Sequence, residues 1–81
     1  MSTRQTNEKR FKKWEELEDG GRRYMRRVTG RNGWYALYVK VTDSAEMTLA
    51  FWQEIYDPEG NLTEIHHKYP VDTGHQKIET P

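Results

Sequence analysis

The chain contains no cysteine among its 81 residues. That excludes a disulfide scaffold, a cysteine-ligated zinc or iron–sulfur site, and a thiol nucleophile. Apolar residues are few, at 33%, and the mean hydropathy is −1.14. The longest apolar run, Trp34 to Val39, falls far short of the about 20 residues that a membrane-spanning helix needs. Met1 to Arg10 is polar and lacks the apolar segment of a secretory signal. The expectation is a cytoplasmic protein with no membrane partner. Net charge is missing as well, since 13 Lys and Arg balance 13 Asp and Glu. Bulk charge therefore names no ligand.

Aromatic residues are what the chain has in quantity: three Trp, five Tyr and two Phe. A disordered chain is poor in such residues. Residues 1–81 are read as one small domain whose core rests on few, large side chains. A domain of this size buries only about 60–65% of its unfolded surface and is marginal alone. Without disulfides, self-association is a natural source of further stability. The zero charge also hides a split. Residues 1–40 carry 11 basic and five acidic side chains, and residues 41–81 carry two and eight. The halves thus stand at +6 and −6. Such halves can attract each other across a dimer or leave one part for an anionic ligand.

Residues 1–5 are expected to fray. From about Thr6 to Glu18 the composition is helical, with Thr6 or Asn7 as cap. Phe11, Trp14 and Leu17 recur at spacing three and make an apolar stripe. Asp19-Gly20-Gly21 ends the helix. After Gly21 the period changes to two, with strand-like runs at about 22–29, 34–41, 47–56 and 62–69. Asn32-Gly33 is a strong hairpin signal, Asp43-Ser44 opens a looser loop, and Asp57-Pro58-Glu59-Gly60-Asn61 is a turn with Gly60 at positive φ. Short connections force antiparallel neighbours. The fold class is therefore α+β, one N-terminal helix packed on a four-stranded antiparallel meander. Residues 71–81 read as a polar tail.

Register assigns the faces. A two-residue Asn32-Gly33 loop sets Val28 against Leu37 and Tyr24 against Val41. The next loop sets Val39 against Leu49 and Leu37 against Phe51. The last sets Asp57 against Asn61 and Gln53 against Ile65. One face then gathers Tyr24, Val28, Tyr35, Leu37, Val39, Val41, Met47, Leu49, Phe51, Ile55, Ile65 and Tyr69 as core beneath the helix. The other carries Trp34, Tyr38, Trp52 and Tyr56, with Arg27, Lys40, Lys68 and His66 among them. Glu54 falls opposite Glu64, a like-charge pair that destabilises a sheet unless a cation relieves it.

One helix cannot cover both faces, so the aromatic one is the candidate binding surface. A second copy is its expected cover, with a protein partner or the tail as other covers. Aromatics interleaved with Arg27, Lys40 and Lys68 also suit nucleic acid, bases on rings and cations on phosphates. No cofactor is expected, and no metal: His66 and His67 are consecutive on a strand and point to opposite faces.

Two local resemblances complete the reading. Tyr56-Asp57-Pro58-Glu59-Gly60-Asn61-Leu62-Thr63 resembles one unit of the tyrosine–aspartate repeats of Rhs-type proteins. It occurs once, whereas repeats imply several copies, so it is read as a hairpin. The order helix, antiparallel sheet, then Gly74-His75-Gln76-Lys77 is similar to RelE/HigB-like toxins, small ribonucleases. That resemblance implies an alternative in which His66, Tyr69 and His75 with Arg26 or Arg27 cleave RNA without a metal. The leading expectation remains a non-enzymatic interaction module that self-associates.

Overall fold

The computed structural model of the chain describes residues 3–78. Its elements are α1 (Arg4–Phe11), β1 (Lys13–Glu16), β2 (Arg22–Thr29), β3 (Tyr35–Thr42), β4 (Thr48–Tyr56), β5 (Leu62–Tyr69) and β6 (Gly74–Lys77). The strands form one antiparallel sheet in chain order. The α+β class holds, but the meander has six strands rather than four. The expectation of fraying falls partly outside the described residues. Within them, Thr3 caps the helix, its Oγ1 accepting the Thr6 N–H at 3.1 Å.

The helix is shorter than its composition suggests, and Lys12 stops it. Lys12 takes the left-handed conformation at φ 67° and returns its N–H to the Glu8 carbonyl at 3.0 Å. The chain then enters β1 directly. Trp14 pairs with Tyr24, Glu15 with Arg23 and Glu16 with Arg22. Arg23 and Glu15 meet at 2.6 Å, and the Arg22 guanidinium lies 5.1 Å from the Trp14 ring centre. Opposite charges facing across two strands favour pairing, and here they override helix propensity. Trp14 and Leu17 therefore leave the expected stripe. Of that stripe only Phe11 lies in α1, its ring centroid 5.8 Å from Tyr24 and 6.2 Å from Phe51. The tail is also partly strand, since β6 pairs with β5; residues 79–81 lie outside the described residues.

Three hairpins share one five-residue loop. At 17–21, 43–47 and 57–61 the first residue donates its N–H to the fifth carbonyl, and the fourth donates to the first. The fourth residue must be left-handed. It is Gly20 at φ 87°, Glu46 at φ 64° and Gly60 at φ 88°. Asn32 and Gly33, at φ 56° and 86°, make the remaining tight turn.

Bulges then move the register away from the expected one. Beyond the Asn32-Gly33 turn, Gly30 donates to the Trp34 carbonyl, so two residues oppose one. Val28 faces Ala36, and Tyr24 faces Lys40. Past Thr42–Thr48 the ladder slips by one, setting Val41 against Ala50 and Val39 against Trp52. Leu49 is left out of the pairing and half exposed. Asp57 does bond to Asn61, but later slips set Ile55 against Glu64, Gln53 against His66 and Phe51 against Tyr69. Each slip of one residue exchanges the faces. The expected single core face is thereby divided between two.

One face carries α1, with Tyr24, Arg26, Val28, Ala36, Tyr38, Lys40, Phe51, Gln53 and Ile55. We call it the helix face. The open face carries Met25, Arg27, Tyr35, Leu37, Val39, Val41, Trp52, Glu54, Tyr56 and Ile65. Glu54 pairs with Ile65 and not with Glu64, so the expected carboxylate pair is absent. Among the described residues no helix is long and apolar enough to cross a membrane.

The glycine at the foot of β2 gives the sharpest test of this packing. A Cβ on Gly21 would sit 2.2 Å from the Thr42 carbonyl oxygen, a backbone atom that cannot swing aside. Gly21→Ala is expected to cost about 1–3 kcal/mol, as overpacking does. Urea denaturation reads it directly, and a variant as stable as the parent contradicts the β2–β3 geometry.

Candidate functional site

The helix is fastened to the sheet by polar chemistry. Glu46, on the β3–β4 loop, turns its carboxylate inward. Oε1 accepts from Arg4 Nε at 3.0 Å; Oε2 accepts from Asn7 Nδ2 at 2.8 Å and from the Tyr24 hydroxyl at 2.7 Å. Lys40 Nζ donates to Asn7 Oδ1 at 2.9 Å. Asn7, Tyr24, Lys40 and Glu46 are all buried. Burial alone would raise the Glu46 carboxyl, but hydrogen bonds from Asn7, Tyr24 and Arg4 outweigh it and hold the group below its ordinary value. Burial and then the Glu46 bond push Tyr24 up. Burial and then the neighbouring Arg10 push Lys40 down.

The expected aromatic surface is split. Trp34 and Tyr38 border the helix face, where they line a common depression. Trp52 and Tyr56 lie on the open face, because the bulge at Leu49 moves β4 by one residue. Arg27 joins the open face, its guanidinium 4.0 Å from the Tyr35 ring centre. Tyr35 stacks on Tyr56 at 4.9 Å and 10°. Glu54 accepts from Trp52 Nε1 at 2.7 Å and from the Tyr56 hydroxyl at 2.5 Å. That bond and burial hold the Tyr56 hydroxyl protonated, pushed up to about 12. Lys40 belongs to the buried clasp and is no surface cation. Lys68 reaches over Tyr38 on the helix face, Nζ 5.3 Å from the ring centre.

The residues of the ribonuclease alternative are partly assembled. Arg26, Tyr38, Gln53, His66 and His75 are successive cross-strand partners from β2 to β6. The His66 and His75 rings lie 4.7 Å apart. Tyr69 pairs with Phe51 on the same face, whereas Arg27 faces the other way. His66 Nε2 donates to Asp72 Oδ1 at 2.5 Å, and its Nδ1 is buried with no partner among the described residues. His75 is the exposed imidazole of the pair. The Asp72 carboxyl is held low by the Gly74 N–H and then by His66. This group ties β6 to β5. Among the described residues no cluster of His, Asp and Glu could hold a metal ion.

A feature the sequence reading missed lies where α1 meets β2. Lys9, Arg10, Lys12, Lys13, Arg26 and Arg27 line a groove of about 670 Å³. Its remaining lining is Phe11, Met25 and Leu37, with no acidic residue. A run of cations on 9–13 was visible, but its meeting with Arg26 and Arg27 depends on the early helix stop at Lys12. Comparison with family models, curated proteins and solved structures finds no match.

The clasp makes a pH prediction. A carboxyl whose folded value lies below its ordinary 4.5 stabilises the fold above that pH. The contribution is lost as pH falls through the lowered folded value. Glu46→Gln should therefore be clearly less stable than wild type at pH 7, by about 2–4 kcal/mol for a broken buried charge cluster. The gap should shrink in acid, where wild-type Glu46 is itself neutral. Denaturant melts from neutral pH downward measure it, and a gap independent of pH contradicts the assignment.

Proposed function

We propose that this chain is a small non-enzymatic interaction module, cytoplasmic in setting, that associates with a second copy of itself through the open face. The observation that carries this reading is the composition of that face. Met25, Leu37, Val39, Trp52, Tyr56 and Ile65 share it, while α1 lies on the opposite side. Val39, between Met25 and Trp52, is only 3% exposed even without a covering helix. An apolar face of this kind is favoured to leave water, at roughly 1.5–3 kcal/mol for each large side chain buried. Its polar atoms are already served, because Glu54 takes both the Trp52 and Tyr56 donors. Covering the face then strands neither of those two donors. A two-fold axis lays such a patch on its own copy.

The competing reading, a metal-independent ribonuclease, draws support from the His66–His75 pair. It needs a free base beside the scissile phosphate. The engagement of His66 by Asp72 leaves that task to His75, so this reading predicts RNA cleavage unaffected by EDTA and abolished in His75→Ala.

Trp52→Glu tests the leading proposal. Sedimentation equilibrium should give a dimer mass for wild type and a monomer mass for the variant, with unchanged circular dichroism. The wild-type dimer should respond little to added salt, since its interface is apolar. A wild-type chain that stays monomeric at every concentration measured refutes self-association.

A further inference from the structure

The basic groove has a chemistry of its own, although it meets the edge of the open face at Met25, Arg27 and Leu37. Six cations converge there on nine lining residues. Elsewhere in the same half of the chain three arginines pair with acids: Arg4 with Glu46, Arg22 with Glu8 and Glu16, Arg23 with Glu15. Among the described residues, none of the six groove cations forms an ion pair. Lys9 and Arg10 in the last turn of α1 offset the negative end of the helix dipole. Arg26 and Arg27 lie on β2, beyond that effect. A groove whose lining gathers positive charge and holds no acid is complementary to a polyanion.

The groove also leads somewhere. It shares Arg10, Phe11 and Arg26 with a depression of about 370 Å³ that reaches Tyr38. That depression shares Val28 and Tyr38 with another, of about 240 Å³, that reaches Trp34. A chain of phosphates at the basic end would thus run on toward two aromatic side chains on the helix face. Lys68, over the Tyr38 ring, adds a cation there. Charged backbone groups beside ring platforms are what unpaired nucleotides use, phosphate on Lys or Arg and base on a ring. A duplex keeps its bases stacked inside and would gain nothing from Tyr38 and Trp34. Among the described residues the edge of β2 beyond Met25 is unpaired, because β1 ends its ladder there, so backbone N–H groups are also free to meet phosphate oxygens.

We propose that the groove at the α1–β2 junction binds single-stranded nucleic acid, with Lys9, Arg10, Lys12, Lys13, Arg26 and Arg27 on the phosphates and with Tyr38 and Trp34 as stacking platforms. The test is fluorescence anisotropy with labelled oligo(U) and oligo(dT) of about 20 nucleotides, a duplex of equal length, and vesicles of neutral lipid doped with phosphatidylserine. The single strands should bind, and affinity should fall roughly 100- to 500-fold between about 50 and 200 mM salt, as release of counterions from about six phosphates requires. Comparing oligo(U) with oligo(dT) reports whether the 2′-hydroxyl is read. Lys12→Asn combined with Lys13→Gln keeps a residue tolerant of the left-handed turn and should lower the salt slope by about 1.4. Trp34→Ala, at an exposed loop position, should weaken binding at least about fivefold with the slope unchanged. Trp52 lies outside the groove lining, so Trp52→Glu should bind no more weakly than wild type, which separates this site from self-association. No binding at low salt overturns the proposal. So does equal affinity for duplex or vesicles, or a slope unaffected by the double substitution.

Discussion

One buried carboxylate holds the architecture together. Glu46 occupies the left-handed position of a hairpin loop whose counterparts are Gly20 and Gly60. A side chain there is strained, at a cost on the order of 1–3 kcal/mol. The strain is offset because the same backbone position aims the carboxylate at Arg4, Asn7 and Tyr24. Of these, Arg4 and Asn7 lie on α1 and Tyr24 on β2. A helix of eight residues has little stability of its own, and Phe11 is its one buried apolar side chain. Charge-assisted hydrogen bonds, worth about 1.5–3 kcal/mol each, do the work that an apolar stripe does in most surface helices.

The position of α1 then governs the surface chemistry. With the helix stopped at Lys12, the Lys9–Lys13 cations are delivered to the side of β2. A helix continuing to residue 18 would carry them away from Arg26 and Arg27. The bulges act in the same direction on the sheet. They gather aliphatic and aromatic residues on the open face and leave Arg26, Tyr38, Gln53, His66 and His75 as a polar row on the other. The molecule presents two unlike surfaces, one largely apolar, which we propose for a second copy, and one lined by cations, which we propose for an anionic chain.

Local chemistry made much of this legible in the sequence. The turns at Asn32-Gly33 and Asp57–Asn61, the four central strands and the antiparallel order follow from residue types at fixed offsets. The two outer strands were harder. Glu15-Glu16 and Arg22-Arg23 flank Asp19-Gly20 symmetrically, a charge-paired hairpin that helix propensity concealed. Gly74–Lys77 has too little apolar character to signal a strand, and its pairing with β5 is a tertiary effect. Face assignments failed for another reason. A bulge at Leu49 or Lys68 depends on the fit of whole strands, and a single inserted residue reverses every side chain beyond it. The site residues inherited that error: Trp34 and Tyr38 were separated from Trp52 and Tyr56, and Lys40 entered the interior. The role of Glu46 had one visible signal, an acid at the loop position where its sister hairpins carry glycine.

The Glu46 carboxylate, rather than apolar burial, fastens α1 to the sheet. Native-state amide hydrogen exchange on wild type and Glu46→Gln tests it most directly. The amides of α1 should lose protection together in the variant while those of β3 and β4 keep theirs. Unchanged protection in α1, or an equal loss throughout the sheet, would contradict it.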